Sequence, residues 1–134
     1  MPSTVICRNV SKVYRQDSLA VNALTDINLD LPKKEFACLS GPSGSGKSTL
    51  LNLIGGLDMP TTGEVLVDGI SLQTQSKSAL AQLRLSRIGF VFQAYNLIPV
   101  LTARENVGFV MQLQRVTEAT RRENAYLRKL LEKQ

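Results

Sequence analysis

The stretch Gly41-Pro42-Ser43-Gly44-Ser45-Gly46-Lys47-Ser48-Thr49 decides how the rest of this chain reads. Its first eight residues fit G-x-x-x-x-G-K-[ST], a glycine-rich loop whose chemistry suits phosphate. Glycines at 41, 44 and 46 have no Cβ, so the backbone can turn sharply and come close to a ligand. A loop bent in this way aims several N–H groups inward, a nest for anionic oxygens. Lys47 adds a mobile point charge for β- and γ-phosphates, and Ser48 a hydroxyl of the kind that holds Mg²⁺. Thr49 stands one residue further along. A helix beginning here turns its positive dipole end toward the same place.

Working outward, Glu35-Phe36-Ala37-Cys38-Leu39-Ser40 is an apolar run of strand length between Pro32 and the glycine loop, and is expected to be a strand. Thr49-Leu50-Leu51-Asn52-Leu53-Ile54 has the content of a buried helix and stops at Gly55-Gly56. Upstream, residues 4–10 begin a strand, which Lys12-Val13-Tyr14-Arg15 continues or follows, and Gln16-Asp17-Ser18 is a polar turn. Residues 23–31 alternate at Ile27, Leu29 and Leu31, the pattern of a half-buried strand. Downstream, Glu64-Val65-Leu66-Val67 reads as a strand and Asp68-Gly69 as a tight turn into Ile70-Ser71-Leu72. Residues 76–87 are helical in pattern, and Ile88-Gly89-Phe90-Val91-Phe92 reads as a buried strand ending at Gln93. Thr102-Ala103-Arg104-Glu105 is a capping box that opens a helix through Gln114. Thr117 or Thr120 caps a last helix, whose apolar stripe is Tyr126, Leu127, Leu130 and Leu131.

The chain has 134 residues, the size of one domain, with 43% hydrophobic and 20% charged residues. No apolar run approaches the ~18 residues that span a bilayer, and the N-terminus lacks a signal-peptide layout. The expected location is the cytosol, with any membrane role coming through a partner. Cys7 and Cys38 are far from C-x-x-C spacing, so buried reduced thiols are expected and no structural metal site. The chain contains no histidine, which excludes chemistry that needs an imidazole within these residues. Of the net charge of +5, residues 115–134 supply three units: Arg115, Arg121, Arg122, Arg128, Lys129 and Lys133 face Glu118, Glu123 and Glu132. Interleaved signs with few aromatics describe a solvated helix face rather than a nucleic-acid surface.

From about Val5 to about Gln114 the chain resembles the ATP-binding subunit of ABC transporters. Tyr14 matches the aromatic that stacks on adenine in that family, and residues 41–49 match its Walker A loop. Gln93 matches the Q-loop glutamine, an amide that can offer an oxygen to Mg²⁺ and position a water, on a loop that faces the membrane subunit. The resemblance thus implies ATP and Mg²⁺ as cofactors. It puts Tyr14, Gly41, Pro42, Ser43, Gly44, Ser45, Gly46, Lys47, Ser48 and Thr49 at the nucleotide. It puts Ser48 and Gln93 at the metal, with Gln93 in the catalytic role. It also implies a membrane permease as partner, a place at the inner face of the plasma membrane, and dimerisation through ATP. Residues 53–58, Leu-Ile-Gly-Gly-Leu-Asp, and residues 96–107 look like the branch serving lipoprotein-release and macrolide-type exporters.

The family's second half has no counterpart here: no LSGGQ signature, no apolar run followed by paired acids, no D-loop and no switch histidine. The expectation is therefore α/β, a P-loop NTPase core with an antiparallel β portion and the start of a helical subdomain, truncated. Residues 1–134 would be the N-terminal part of an ATP-binding domain, whether from a truncated gene, as a fragment or deliberately shortened. Two other classes stay open: a non-catalytic remnant whose nucleotide site no longer matters, and a different P-loop enzyme such as a small kinase. For the kinase, acceptor and lid residues are not evident.

Overall fold

The computed structural model describes residues 2–16, 18–94, 96–117 and 119–120. They fall into two compact units, Met1–Ala81 and Gln82–Gln134. In the first, strand β1 (Ser3–Gln16) and strand β2 (Leu19–Pro32) form a long hairpin, with Gln16 opposite Leu19 across the turn read from the sequence. Strand β3 (Thr62–Val67) pairs with the other edge of β1, and strand β4 (Ile70–Ser71) follows it through the turn at Asp68 and Gly69. The order is β2-β1-β3-β4, antiparallel throughout. Ile27, Leu29 and Leu31 alternate with exposed neighbours, the half-buried pattern expected of β2.

The hairpin slips register around Val10, and side chains take over the missing ladder bonds. The Asn9 N–H donates to Asn28 Oδ1 (2.9 Å), Asn9 Nδ2 to Asp26 Oδ1 (2.8 Å), and the Asp26 N–H to Ser11 Oγ (2.9 Å). On the other edge, Gly63 has φ 87°, and a Cβ there would lie 2.3 Å from the Asn9 carbonyl oxygen. Only glycine lets β3 approach the bulge so closely.

Helix α1 (Lys47–Ile54) packs on β2 and β3 and buries Leu50 and Leu53, three residues apart on one face. With Val5, Cys7, Val10, Leu24, Val65, Val67, Leu72 and Leu80 they form the core of the first unit. A short 3-10 turn (Leu72–Thr74) leads to helix α2 (Lys77–Arg87), whose N-terminus is capped by Ser76 Oγ accepting from the Ala79 N–H at 3.2 Å.

In the second unit, Thr102 caps helix α3 (Ala103–Leu113) through both halves of the expected capping box. Asn106 ties the preceding loop to it: its Nδ2 donates to the Ile98, Leu101 and Thr102 carbonyls, and its Oδ1 accepts from the Ile98 N–H. Gln114 Nε2 donates to the Leu85 carbonyl at 2.7 Å. The expected last helix with Tyr126, Leu127, Leu130 and Leu131 lies outside the described residues.

Three expectations need correction. Residues 35–40 are not a strand, residues 88–92 are not a buried strand, and Cys38 is exposed rather than buried. Phe36 is 99% and Val91 102% exposed. Both runs have strand-like composition, but a strand exists only through hydrogen bonds to a neighbour, and neither run joins the sheet of the described residues. Phe90 and Phe92 stack on each other instead, with centroids 5.6 Å apart.

Candidate functional site

The glycine loop takes its shape from its sequence. Gly46 is the N-cap of α1 in the left-handed conformation, φ 92°, ψ 7°, and its carbonyl accepts from the Leu50 N–H at 2.9 Å. A Cβ at Gly46 would meet the Ala23 carbonyl oxygen at 2.7 Å and Leu24 Cδ2 at 2.8 Å, so both backbone angle and packing require glycine. No side chain caps α1 and no acidic residue stands in its first turn. The helix thus presents free first-turn N–H groups and a positive end without a competing carboxylate. The Ser45 N–H donates to the Pro42 carbonyl (3.3 Å), closing the turn.

Lys47, the first residue of α1, folds back over the loop. Its Nζ donates to the Gly41 and Pro42 carbonyls, each at 2.7 Å, and to Ser45 Oγ at 3.2 Å. Lys47 and Gly46 are half-buried, whereas Ser43, Gly44 and Ser48 are exposed and Thr49 is half-buried one step along the helix. The predicted residues 41–49 are therefore one continuous segment, with loop oxygens of Gly41, Pro42 and Ser45 gathered on the Lys47 ammonium group. It can receive an anion at the N–H groups, with the lysine charge alongside.

Tyr14 sits near the end of β1 and is 42% exposed. Its hydroxyl donates to Asp58 Oδ2 at 2.9 Å, and the Lys12 ammonium lies 4.9 Å from the ring centroid. Lys12 Nζ also donates to Asp58 Oδ1 (2.8 Å) and to the Met59 carbonyl (2.6 Å). Partial burial pushes the Asp58 carboxyl up; the hydrogen bonds from Lys12, the Met59 N–H and Tyr14, with the Lys12 charge, together outweigh it and hold the group below the usual aspartate range. Neither Lys12 nor Asp58 is among the site residues expected from sequence, although Asp58 closes the 53–58 stretch that carries the exporter-branch resemblance. The only signals were the two-residue spacing of Lys12 and Tyr14 on a strand and the place of Asp58 just behind the Gly55-Gly56 helix stop. Gln93 belongs to the second unit, where it is exposed in the non-strand stretch after Phe92.

Residues 24–134 match the family model described as ABC transporter. The ABC transporter ATP-binding protein MJ0796 of Methanocaldococcus jannaschii is 50% identical over 100 residues, 75% of this chain and 43% of that protein. The macrolide export ATP-binding/permease protein MacB of Brucella abortus is 50% identical over 99 residues, 74% of this chain and 15% of that protein. Among solved structures, the dimeric post-hydrolysis state of the ATP-binding cassette MJ0796 bound to ADP and Pi superposes with a TM-score of 0.85 at 43% identity, covering 91% of this chain and 54% of that one. The chain thus spans about half the length of that cassette. By the family model, these relatives and the shared fold, the chain belongs to the ABC transporter family, as ATP-binding cassette sequence close to the MJ0796 and MacB type.

Proposed function

We propose that residues 1–134 are the N-terminal part of an ATP-binding domain that binds Mg-ATP through residues 41–49 and serves an exporter by docking on a membrane permease. The observation that carries the proposal is the Lys47 ammonium, bonded to the Gly41 and Pro42 carbonyls at the uncapped N-terminus of α1. These bonds place a positive charge beside the free N–H groups, which fits a polyphosphate; a chance Gly/Ser turn has no reason to recruit it. In the proposed complex Lys47 exchanges its carbonyl partners for β- and γ-phosphate oxygens, and the N–H groups of the loop and first helical turn bind the rest. Pro42, Ser43 and Ser45 shape the loop, and Thr49 stands behind it.

The residues also fit a magnesium ion. The Ser48 hydroxyl is exposed beside the loop, a hard oxygen donor of the right kind. Mg²⁺ neutralises phosphate charge when bound. Gln93, in the second unit, keeps only the role that the family resemblance implies, an amide able to offer an oxygen to a metal or a water. Tyr14 offers its half-exposed ring to adenine. The likeness to an exporter ATPase favours a permease partner at the inner face of the membrane and pairing of two cassettes around ATP. No helix among the described residues is long and apolar enough to cross a membrane.

Binding, not turnover, is what these residues support on their own. They include no histidine and no two adjacent acidic residues to act as metal ligand and general base. Loss of a general base costs about 10²–10⁴-fold in rate. Calorimetry of the chain with Mg-ATP tests the proposal. Lys47→Ala should weaken binding about tenfold or more, the equivalent of ~1.5–3 kcal/mol for hydrogen bonds to a charged group. Equal affinity of the folded variant and the unsubstituted chain would overturn it.

A further inference from the structure

We infer that Asp58 is a positioning residue for Tyr14: it holds the ring so that one face is covered by the Lys12 ammonium and the other is open to a flat base. The inference rests on the nucleotide reading above and adds to it the device that orients the base.

Tyr14 is half-exposed, so water could satisfy its hydroxyl at no cost. A bond to Asp58 Oδ2 at 2.9 Å therefore does something other than satisfy a buried group. A bond at the para oxygen fixes where the long axis of the ring points but leaves rotation about that axis free. The cation removes that remaining freedom. Lys12 Nζ, 4.9 Å from the ring centroid, is attracted to the negative face of the π-system and favours one ring plane. The same carboxylate holds both groups, with Oδ1 on Lys12 at 2.8 Å and Oδ2 on Tyr14.

The carboxylate is itself anchored. The Met59 N–H donates to Oδ1 at 2.7 Å, and the Asp58 N–H donates to the Asn52 carbonyl in α1 at 3.3 Å. The ring on β1 is thereby tied to the helix whose first residue is Lys47. With Lys12 only 13% exposed, the ion pair is better shielded than a surface pair and can hold its geometry. A base can stack only on the ring face that Lys12 leaves free, and aromatic stacking accepts any base.

The test compares Mg-ATP with Mg-tripolyphosphate, which has the phosphates and no base. Both are titrated into the full chain and into Asp58→Asn, Tyr14→Phe and Tyr14→Ala, with thermal melts to verify folding. Asp58→Asn keeps the size of the side chain and removes its charge. It should lower Mg-ATP affinity about three- to tenfold, within the range of one aromatic contact, and leave tripolyphosphate unchanged. Tyr14→Phe keeps the ring and loses the tether, so it should move the affinity ratio in the same direction. The double variant should add little beyond either single one. Tyr14→Ala sets the full loss of stacking. A ratio unchanged in Asp58→Asn, or an equal fall for both ligands, would overturn the inference, because a purely structural tie between β1 and the helix end weakens both alike. Failure of the nucleotide reading itself looks different: Lys47→Ala would then weaken neither ligand.

Discussion

Cys7 and Cys38 lie in apolar runs of similar composition and meet opposite fates. Cys7 is paired across from Leu29 on β2 and Val65 on β3 and is almost wholly buried. Burial pushes its thiol up from the usual range. Cys38, between Phe36 and Leu39, is exposed in a segment with no ladder. The difference lies in the supply of partners, not in propensity. β1 and β2 follow each other in sequence and pair directly, with Gln16 opposite Leu19, and β3 finds an edge already formed. Residues 35–40 lead straight into the glycine loop and helix, a path that leaves no nearby strand to pair with antiparallel. A strand in such a strand-loop-helix path finds its neighbours through long crossover connections.

The largest effect expected from this contrast is on stability. Leu53, with 0% exposure, should cost about 2–5 kcal/mol when replaced by alanine. Phe36→Ala removes a larger side chain yet should change stability by no more than about 0.5 kcal/mol, since the ring touches little. Chemical denaturation of both variants measures this. A Phe36→Ala loss as large as that of Leu53→Ala would mean that residues 35–40 are packed in solution.

The two thiols sharpen the comparison further. Under native conditions Cys38 should react with an alkylating reagent about a hundredfold or more faster than Cys7, whose reaction waits on opening of the sheet. Mass spectrometry of timed digests separates the two. Equal rates would show the sheet to be no better protected than the free run.

A smaller effect belongs to α3, which buries none of its residues and leans on its cap. Thr102→Ala should destabilise this helix by about 0.5–2 kcal/mol, visible as faster amide exchange in residues 103–113 with exchange in β1 unchanged. The hydrogen bonds from the Thr102 N–H and hydroxyl hold the Glu105 carboxyl below its ordinary value. A depressed carboxyl adds stability above its unfolded pKa, about 4.3, and loses it as pH falls through the lower folded value. The protection of α3 amides, corrected for their intrinsic exchange rates at each pH, should therefore fall on acidification through the Glu105 titration, and Thr102→Ala should remove that pH dependence.

Much of the architecture was legible because it is local. The capping box at Thr102 and Glu105 names its own partners, and Asp68-Gly69 names its turn. Alternation at Ile27, Leu29 and Leu31 names a face. The glycine loop was legible for the same reason: Gly46 needs a positive φ, Lys47 follows it, and a helix starts there. The bulge at Asn9 was not legible, because its hydrogen bonds join residues about 17 to 19 positions apart. The Lys12–Asp58–Tyr14 arrangement is not legible either, because it joins positions 46 and 44 residues apart.

By itself the sequence determined the glycine loop, the helix behind it, the hairpin strands and the helix caps, since each depends on side chains a few residues apart. Only the tertiary structure decided which apolar runs became strands, which thiol was buried and what held Tyr14. The physical reason is common to all three. Backbone ladders, burial and ion pairs are made with partners distant in sequence, and a run's own composition states a need for such partners without supplying them.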